Sequence, residues 1–267
     1  MGRIAFVTDS TAGLPVDQVE KYRVTVVPLQ VIFGTETFRD GIDLTEDQFF
    51  ERLKAAKKLP TTSQPTTSDF EEAYTKLLND PEVDSIISVH LSSVLSGTYG
   101  AAAAAAERLM ASSSKKIAVV DSLSGYMGEG LMVIDGARAA EEGKSHEEVV
   151  RLIEAMVPKV RVLLLVDTLE YLQRGGRIGG AQAFIGGLLN VKPILHLHGG
   201  RLEPLERVRT RRKAMERLAE IGGEESGGRT CQVVVGHAQA AEDARDLSRL
   251  IHEKMKVVEE FSSPLGP

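Results

Sequence analysis

Residues 85–111, SIISVHLSSVLSGTYGAAAAAAERLMA, contain an apolar strand, a hydroxyl-rich turn and a helix in direct succession. The strand runs from Ile86 to His90, and the turn Ser92–Thr98 carries four hydroxyl side chains without a charge. The following Tyr99–Ala111 segment is rich in alanine, the strongest helix former. Strand, polar turn and helix form the repeating unit of α/β proteins, which bind their ligands at the carboxyl ends of such strands.

The same alternation continues along the rest of the chain. Short, β-branched strands separated by amphipathic helical patterns predict an α/β fold, with parallel or mixed sheets covered by helices. One helical pattern ends near Met156-Val157-Pro158-Lys159, and a new strand–helix series begins there. We therefore predict two α/β domains, residues 1–157 and 158–267. The strand candidates are Ile4–Thr8, Thr25–Phe33, Ser85–His90, Lys116–Asp121, Arg161–Val166, Lys192–His198 and Gln232–Gly236.

Composition excludes several functional classes. The net charge of −6 argues against a general nucleic-acid binder. No apolar stretch approaches the length of a membrane span, and Met1–Val7 runs into a strand pattern without a signal-peptide core, so we expect a cytoplasmic protein without integral membrane association. Cys231 is the only cysteine, which excludes an intrachain disulfide. Its apolar surroundings predict a buried structural thiol.

A second hydroxyl-rich segment lies upstream, Pro60-Thr61-Thr62-Ser63-Gln64-Pro65-Thr66-Thr67-Ser68. We interpret both hydroxyl-rich segments as loops that lead into helices. Unpaired amides at a helix N-terminus and neutral hydroxyl donors both favour an anion, so the two loops predict a pocket for a single carboxylate. Gly97 would allow a close backbone approach or a positive φ. The alternative is that the hydroxyls only cap helices.

Two basic segments follow in the second half. Arg177 lies between glycine pairs in Leu169–Gly179, and Arg209 lies in the run Arg207–Lys213. A guanidinium suits carboxylate and phosphate, so either segment is a candidate for contact with an acid group or a phosphate. The alternatives are an ordinary basic loop for the first and a solvated helix face for the second.

Signals of catalysis or metal binding are weak. His196 and His198 share a strand face, but no cysteine or carboxylate series accompanies them, so we predict no metal site. The segment Glu142–Ser145 lacks the first glycine of a phosphate-binding loop and is better interpreted as a helix end followed by the N-cap of the next helix. Neither a dinucleotide-binding fingerprint nor a nucleophile elbow occurs, and we predict no catalytic residues.

Taken together, these motifs closely resemble the DegV family of bacterial lipid-binding proteins over essentially the whole chain. The strings that carry the resemblance are Thr8-Asp9-Ser10-Thr11-Ala12, Thr61-Thr62-Ser63-Gln64-Pro65, Ser92-Ser93-Val94-Leu95-Ser96-Gly97-Thr98, Tyr171-Leu172-Gln173-Arg174-Gly175-Gly176-Arg177-Ile178, Val191-Lys192-Pro193-Ile194 and Arg207-Val208-Arg209-Thr210.

The resemblance implies a two-domain carrier that holds one long-chain fatty acid between its domains, with no further cofactor. A separate fatty acid kinase subunit would phosphorylate the carboxylate with ATP, giving an acyl phosphate for phospholipid synthesis. On this model Thr62 and Ser93 hydrogen-bond the carboxylate, with Ser63, Ser96 and Gly97 beside them. Arg177 and Arg209 would steady phosphate or dock the kinase subunit, with Arg177 also near the head group.

The tail would lie in an apolar tunnel, for which Gly125–Val133 and Phe184–Leu189 supply small and adaptable side chains. Plain core packing is the alternative for those segments. The family continues past a Gly-Pro with a histidine-glycine motif, whereas this chain stops at Ser263-Pro264-Leu265-Gly266-Pro267, so we expect either a truncated sequence or a head-group site without that histidine.

Two other functions stay open from the residues. One is an enzyme, a small-molecule kinase or phosphotransfer subunit of related α/β architecture. The other is a regulatory module for which the lipid is a signal. A co-purified acyl chain favours the carrier, and ATP turnover by the isolated chain favours the enzyme.

Overall fold

The computed structural model describes residues 2–186 and 191–267. Contacts divide the chain into two compact units. Unit 1 comprises Met1–Val160 with Gly266–Pro267, and unit 2 comprises Arg161–Leu265. The predicted class is confirmed, because both units combine helices with parallel and antiparallel strands.

Unit 1 contains two sheets. Its strands are β1 (Arg3–Asp9), β2 (Thr25–Val27), β3 (Gln30–Phe33), β4 (Glu36–Arg39), β5 (Thr61–Ser63), β6 (Val83–His90) and β7 (Lys116–Asp121). The larger sheet is parallel with the order β2-β1-β6-β7, and the smaller one is antiparallel with the order β4-β3-β5. Thr61–Ser63 is therefore a strand, not the loop that its hydroxyls and flanking prolines suggest.

Six helices accompany these strands: α1 (Val16–Tyr22), α2 (Glu46–Ala55), α3 (Thr67–Leu78), α4 (Thr98–Met110), α5 (Met127–Glu141) and α6 (His146–Met156). Local sequence explains three of the helix starts. Thr45, Thr66 and Ser145 each form a capping box with the residue three positions later, which satisfies two terminal amides reciprocally. The predicted N-cap at Ser145 is confirmed.

Helices cover the parallel sheet on both faces. Ala5 and Val7 of β1 join a core cluster with Phe70 and Tyr74 of α3 and the buried alanines of α4. Phe6, which points to the opposite face, lies beside Gly136 of α5 and Ile153 of α6. Small residues on α4 and at Gly136 let the helices approach closely. The carboxyl ends of β1, β6 and β7 lie together at one edge of this sheet.

Unit 2 comprises β8 (Leu163–Leu165), α7 (Glu170–Arg174), β9 (Lys192–His198), β10 (Arg201–Val208), α8 (Arg211–Ser226), β11 (Thr230–His237), α9 (Ala241–Lys254) and β12 (Lys256–Pro264). Strands β8, β9 and β10 form an antiparallel sheet, whereas β11 and β12 pair in parallel. Ile194 packs against α8, and its neighbour Leu195 packs against the segment that contains Leu169 and Ala181.

Two further features concern membrane crossing and Cys231, whose predicted burial as a structural thiol is wrong. Among the described residues, no helix combines the length and the apolar composition that a membrane crossing requires. Cys231 is only partly buried, because it lies at the start of β11, where its thiol reaches the Arg229 carbonyl at 3.6 Å.

Candidate functional site

Three strand ends define the candidate site in unit 1. Asp9, His90 and Asp121 are the last residues of β1, β6 and β7, and the parallel pairing places them at one edge of the sheet. Polar turns follow each strand, a 3-10 turn at Ser10–Ala12, the segment Ser92–Gly97 and the segment Ser122–Tyr126. This edge is where α/β folds place their ligands.

Asp121 fixes the turn after β6. Its Oδ1 accepts hydrogen bonds from the amides of Ser93 at 3.2 Å and Leu123 at 3.0 Å. The Ser92 amide donates to the Ser124 carbonyl at 2.8 Å. The turn is thus tied to the next strand's turn, and the Ser93 amide is engaged rather than available to an anion.

The hydroxyls of the Ser92–Thr98 segment divide into two groups. Ser92 is buried and its Oγ accepts from the Val94 amide, while Ser96 and Thr98 hydrogen-bond each other at 2.9 Å. Ser93 is exposed, and its hydroxyl has no partner among the residues that the structure describes. Ser93 is therefore the hydroxyl that this segment can offer to a ligand.

In strand β5 the adjacent side chains of Thr62 and Ser63 face in opposite directions. Thr62 pairs with Val31 and Ser63 with Gln30, so the two adjacent side chains point to opposite faces of the small sheet. Ser63 Oγ reaches the Gln64 carbonyl at 3.4 Å. The Thr62 hydroxyl is exposed and forms no hydrogen bond within the described part of the chain. One head group can be reached by Thr62 or by Ser63, but not by both side chains from the same face.

Gly97 brings the two hydroxyl-rich segments together. A Cβ atom at this position would lie 2.3 Å from Gln64 Oε1, so the Gln64 amide occupies the space that a side chain would need. The Gly97 φ of −77° is open to any residue, so what distinguishes this position is the close approach of the Gln64 side chain and not a left-handed conformation.

The two helix starts differ from the predicted anion pocket. At α3 two of the four terminal amides are capped, because Thr66 accepts from the Asp69 amide and the Asp69 carboxylate accepts from the Thr66 amide. That negative carboxylate repels a second anion. At α4 Gly97 is the N-cap and has no side chain with which to cap; the Thr98 amide donates to Ser96 Oγ at 3.4 Å, and the next amides of the first turn are left available.

Beneath this edge lies a buried polar network that the sequence did not reveal. Tyr74 donates to Ser88 Oγ at 2.8 Å, Ser88 Oγ lies 2.7 Å from His90 Nε2, and His90 Nδ1 lies 2.9 Å from Asp9 Oδ2. With Tyr74 donating, the one Ser88 proton goes to Nε2, which leaves the Nδ1 proton to donate to Asp9. All four side chains are inaccessible to solvent.

Glu129 of α5 completes this network. Its Oε1 lies 2.7 Å from Thr8 Oγ1, and its Oε2 lies 3.4 Å from Thr11 Oγ1, which also donates to Asp9 Oδ1 at 2.5 Å. Burial, and then the negative charge of Asp9, raise the pKa of Glu129 well above its usual range. Burial likewise raises the pKa of Asp40, against a hydrogen bond from Ser10.

The network resembles two kinds of functional centre. Asp9, His90 and Glu129 offer ligand atoms within 4.8 Å of one another, the span of a metal site, but each of these atoms already has a hydrogen-bond partner. Ser88, His90 and Asp9 also follow the order of a serine hydrolase triad. Ser88 is 0% exposed and accepts from Tyr74, so no substrate carbonyl can approach its Oγ. The arrangement can hold protons and position the turns above it.

In unit 2 the glycine-rich segment is folded onto the β8–β10 sheet. Gly179 has φ +52°, and a Cβ there would lie 2.3 Å from the Leu202 carbonyl oxygen. Arg177 is exposed, and its Nη1 donates to the Gly175 carbonyl at 2.6 Å. Two segments are expected to line the tail. The second of them includes Gly187, Leu188 and Leu189, which lie outside the described residues. In the first, the side chains of Met127, Met132 and Val133 are buried in the core of unit 1.

Arg209 differs from its basic neighbours. Arg211 is paired with Asp167 and Asp243, and Arg207 lies over the Phe184 ring and donates to the Ala183 carbonyl. Arg209 is exposed just before the N-cap Thr210, and within residues 2–186 and 191–267 it has no acidic partner.

A surface cleft of about 450 Å³ lies between α8 and α9 of unit 2. Its walls alternate Arg212 and Arg249 with Glu216 and Glu253. A lining of mixed charge is unsuited to an acyl chain, and we assign the cleft no part in ligand binding.

Comparisons with known proteins agree in family and fold. The model of a family described as "Uncharacterised protein, DegV family" matches residues 3–267. Protein DegV from Bacillus subtilis (strain 168) is 38% identical over 265 residues, covering 98% of this chain and 92% of the relative.

Two solved structures resemble this chain closely. One, described as fatty acid binding of a DegV family protein from Thermus thermophilus, has a TM-score of 0.88 at 35% identity and covers 98% of this chain and 92% of its own. The other, a stearic acid-binding protein from Eubacterium ventriosum, has a TM-score of 0.90 at 26% identity with the same coverages.

Proposed function

The chain belongs to the DegV family, and on that premise we propose that it is a carrier that binds one long-chain fatty acid, with the carboxylate on the hydroxyls of Thr62 and Ser93. The observation that carries the proposal is the exposure of these two hydroxyls, without partners in the described chain, on segments that Gln64 and Gly97 bring into contact. Related proteins from Thermus thermophilus and Eubacterium ventriosum are described as fatty-acid-binding.

Neutral hydroxyl donors suit a carrier. They hydrogen-bond a carboxylate without neutralising it, so its oxygen stays nucleophilic toward a phosphoryl donor. Affinity comes from the tail, at about 0.8 kcal/mol per buried methylene before the cost of ordering the chain. We propose an apolar tunnel for the tail and give Ser96 and Gly97 supporting positions beside the carboxylate, whereas Ser63, on the opposite face of β5 from Thr62, supports the strand.

We further propose that a separate kinase subunit phosphorylates the bound carboxylate with ATP, and that this chain is therefore not itself an enzyme. Arg177 and Arg209 would steady the phosphate or dock that subunit. The exposed guanidinium of Arg209, which lacks an acidic partner in the described chain, supports a docking role. The acyl phosphate would serve phospholipid synthesis in the cytoplasm.

Mass spectrometry of the purified protein, native and then after organic extraction, tests the carrier proposal. We expect a stoichiometric long-chain fatty acid. An empty protein that also fails to take up added stearate would overturn the proposal, and ATP turnover by the isolated chain would favour the kinase alternative.

Substitution separates the two proposed ligand hydroxyls from their neighbours. Thr62→Val and Ser93→Ala each remove one hydrogen bond to a charged group, which is worth about 1.5–3 kcal/mol, so stearate affinity should fall roughly 10- to 150-fold. Thr61→Val is the matched control, because Thr61 is exposed on the other face of β5. Equal losses in all three variants would contradict the assignment.

Docking is tested by reversing one charge. Arg209→Glu should leave stearate affinity unchanged and abolish acyl phosphate formation with the kinase subunit present. Arg249→Glu, an equal change of charge at an exposed position on α9, should affect neither property. If Arg209→Glu weakened stearate binding as much as phosphorylation, the docking role would be wrong.

A further inference from the structure

The hydrogen bonds of Thr8 indicate where a proton lies in the buried network. Its Oγ1 is 2.9 Å from the Val89 carbonyl oxygen and 2.7 Å from Glu129 Oε1. A hydroxyl has one proton to donate, and a carbonyl oxygen can only accept. When Thr8 donates to Val89, the contact with Glu129 requires that Oε1 carries a proton and donates it.

The carboxyl of Asp9 lies on the other side of Glu129. Thr11 Oγ1 lies between Asp9 Oδ1 and Glu129 Oε2, and the two acid side chains offer oxygens within 4.8 Å of each other. Both are 0% exposed. A second carboxylate beside Asp9 in such a site would ionise only at a large cost, so the proton stays on Glu129.

Asp9 is also the acceptor that organises the turns above it. Its Oδ1 accepts from the Thr11 amide at 3.0 Å, and its Oδ2 accepts from His90 Nδ1 and, at 3.4 Å, from the Leu91 amide. Leu91 directly precedes Ser92 and Ser93. The carbonyl of His90 accepts from the Ser122 amide at 3.0 Å. The turns after β1, β6 and β7 therefore converge on one carboxylate and its imidazole partner.

We propose that Glu129 is a positioning residue that keeps one proton beside the Asp9 carboxylate, and that this proton holds the turns Ser10–Ala12 and Ser92–Gly97 in the conformation that accepts the fatty acid head group. This inference rests on the proposed function. Loss of the proton places a second negative charge beside Asp9, disturbs both turns and weakens binding of an anionic ligand. Binding of the fatty acid thus depends on the protonation of Glu129, which does not contact the ligand.

The titratable groups around Glu129 come from several elements. Asp9 faces it from β1, His90 lies beyond Asp9 on β6, and Tyr74 of α3 ends the line through Ser88. Asp40, which follows β4, acts on Asp9 through its charge and on Ser10 through a hydrogen bond. Glu129 itself lies in the first turn of α5, whose dipole favours ionisation, but burial opposes it.

The test compares stearate affinity from pH 6 to pH 9 in the full chain and two variants. Glu129→Gln keeps an N–H donor in the network without a titrating proton. We expect wild-type affinity at pH 6 to agree within about twofold with that of Glu129→Gln, then to fall by about tenfold per pH unit once Glu129 loses its proton. The stearate affinity of Glu129→Gln should not change with pH. Glu141→Gln, at an exposed position of the same helix, should follow the wild type.

Parallel pH profiles for wild type and Glu129→Gln would overturn the inference. If no protein bound stearate at any pH, the proposed function would fail instead, and the two failures are thus distinguishable. Should Glu129→Gln not fold, the infrared spectrum of the apo wild type at pH 8 still decides. We expect a protonated-carboxyl band that is retained in Glu141→Gln and shifted in Asp9→Asn. Absence of that band, or a stoichiometric metal ion by elemental analysis, would contradict a protonated Glu129.

Discussion

At the scale of single residues, burial and neighbouring charge decide which polar groups act. The hydroxyls of Thr62 and Ser93 are exposed and have no partner among the described residues, whereas Ser92 and Ser96 are satisfied within their own turn. Glu129 is the opposite case, a carboxyl without access to water that two threonines contact beside Asp9.

The buried Glu129 should make stability depend on pH. Its folded-state pKa is raised, so above the ordinary carboxyl pKa the unfolded chain releases this proton while the folded chain keeps it. The free energy of unfolding then falls by about 1.4 kcal/mol per pH unit from this group, until the folded-state pKa is reached.

Because Glu129→Gln removes this titration, the stability of the variant minus that of the wild type should rise steadily with pH. Urea unfolding at pH 5, 6, 7 and 8 measures the difference. A difference that stays constant across this range would mean that Glu129 is ionised in the folded protein.

The sequence predicted the exposed hydroxyls but not the network below them. Thr62 and Ser93 stand in short polar strings that composition makes visible. Asp9, His90 and Glu129 are distant in sequence, and each has a bland local interpretation, as a strand end, a strand histidine and a member of a supposed tunnel lining. Only the pairing of β1 with β6 and the packing of α5 bring them together.

At the scale of helices and strands, local chemistry explains several boundaries. The capping boxes at Thr45, Thr66 and Ser145 can be seen in the sequence, and the apolar runs of β1, β6 and β7 predicted parallel or mixed strand pairing, which is parallel in this sheet. Strand β5 could not be predicted, because three hydroxyl residues lack apolar alternation and gain their pairing from β3. Tertiary pairing there outweighs the local preference for a loop.

Thr66 tests the difference between a cap and a ligand group. It belongs to the same hydroxyl-rich string as Thr62, but its Oγ1 caps α3. Thr66→Ala should lower the free energy of unfolding by about 1 kcal/mol, the usual worth of an N-cap. Stearate affinity should not change. Loss of affinity without loss of stability would assign Thr66 to the ligand, and Thr62→Val provides the opposite expectation for comparison.

At the scale of the whole molecule, each unit has its own core and its own charge balance. Unit 1 carries 16 Lys and Arg against 24 Asp and Glu, whereas unit 2 carries 16 against 14. The core of unit 1 is centred on Phe70, Tyr74 and Ile86, and that of unit 2 is built on Ile194, Leu195 and Leu218. We expect local destabilisation to stay within a unit.

Phe70→Ala tests this independence. Phe70 is fully buried, and its ring packs edge-on against His90 at 4.9 Å. Its removal should cost about 3–5 kcal/mol. Hydrogen exchange followed by mass spectrometry should show faster exchange in α3 and β6, with β9 and β10 unchanged. Equal acceleration in β9 and β10 would show that the two units unfold as one.

The hydrogen-bonded chain from Tyr74 through Ser88 and His90 to Asp9 also constrains which substitutions this sequence can accept during evolution. Every member satisfies the next, so a change at one position strands a polar group in the core at about 1–3 kcal/mol. Sequences that evolve from this one should therefore either keep all four residues or replace several of them in close succession. A single surviving histidine at position 90 without its aspartate would be a short-lived intermediate.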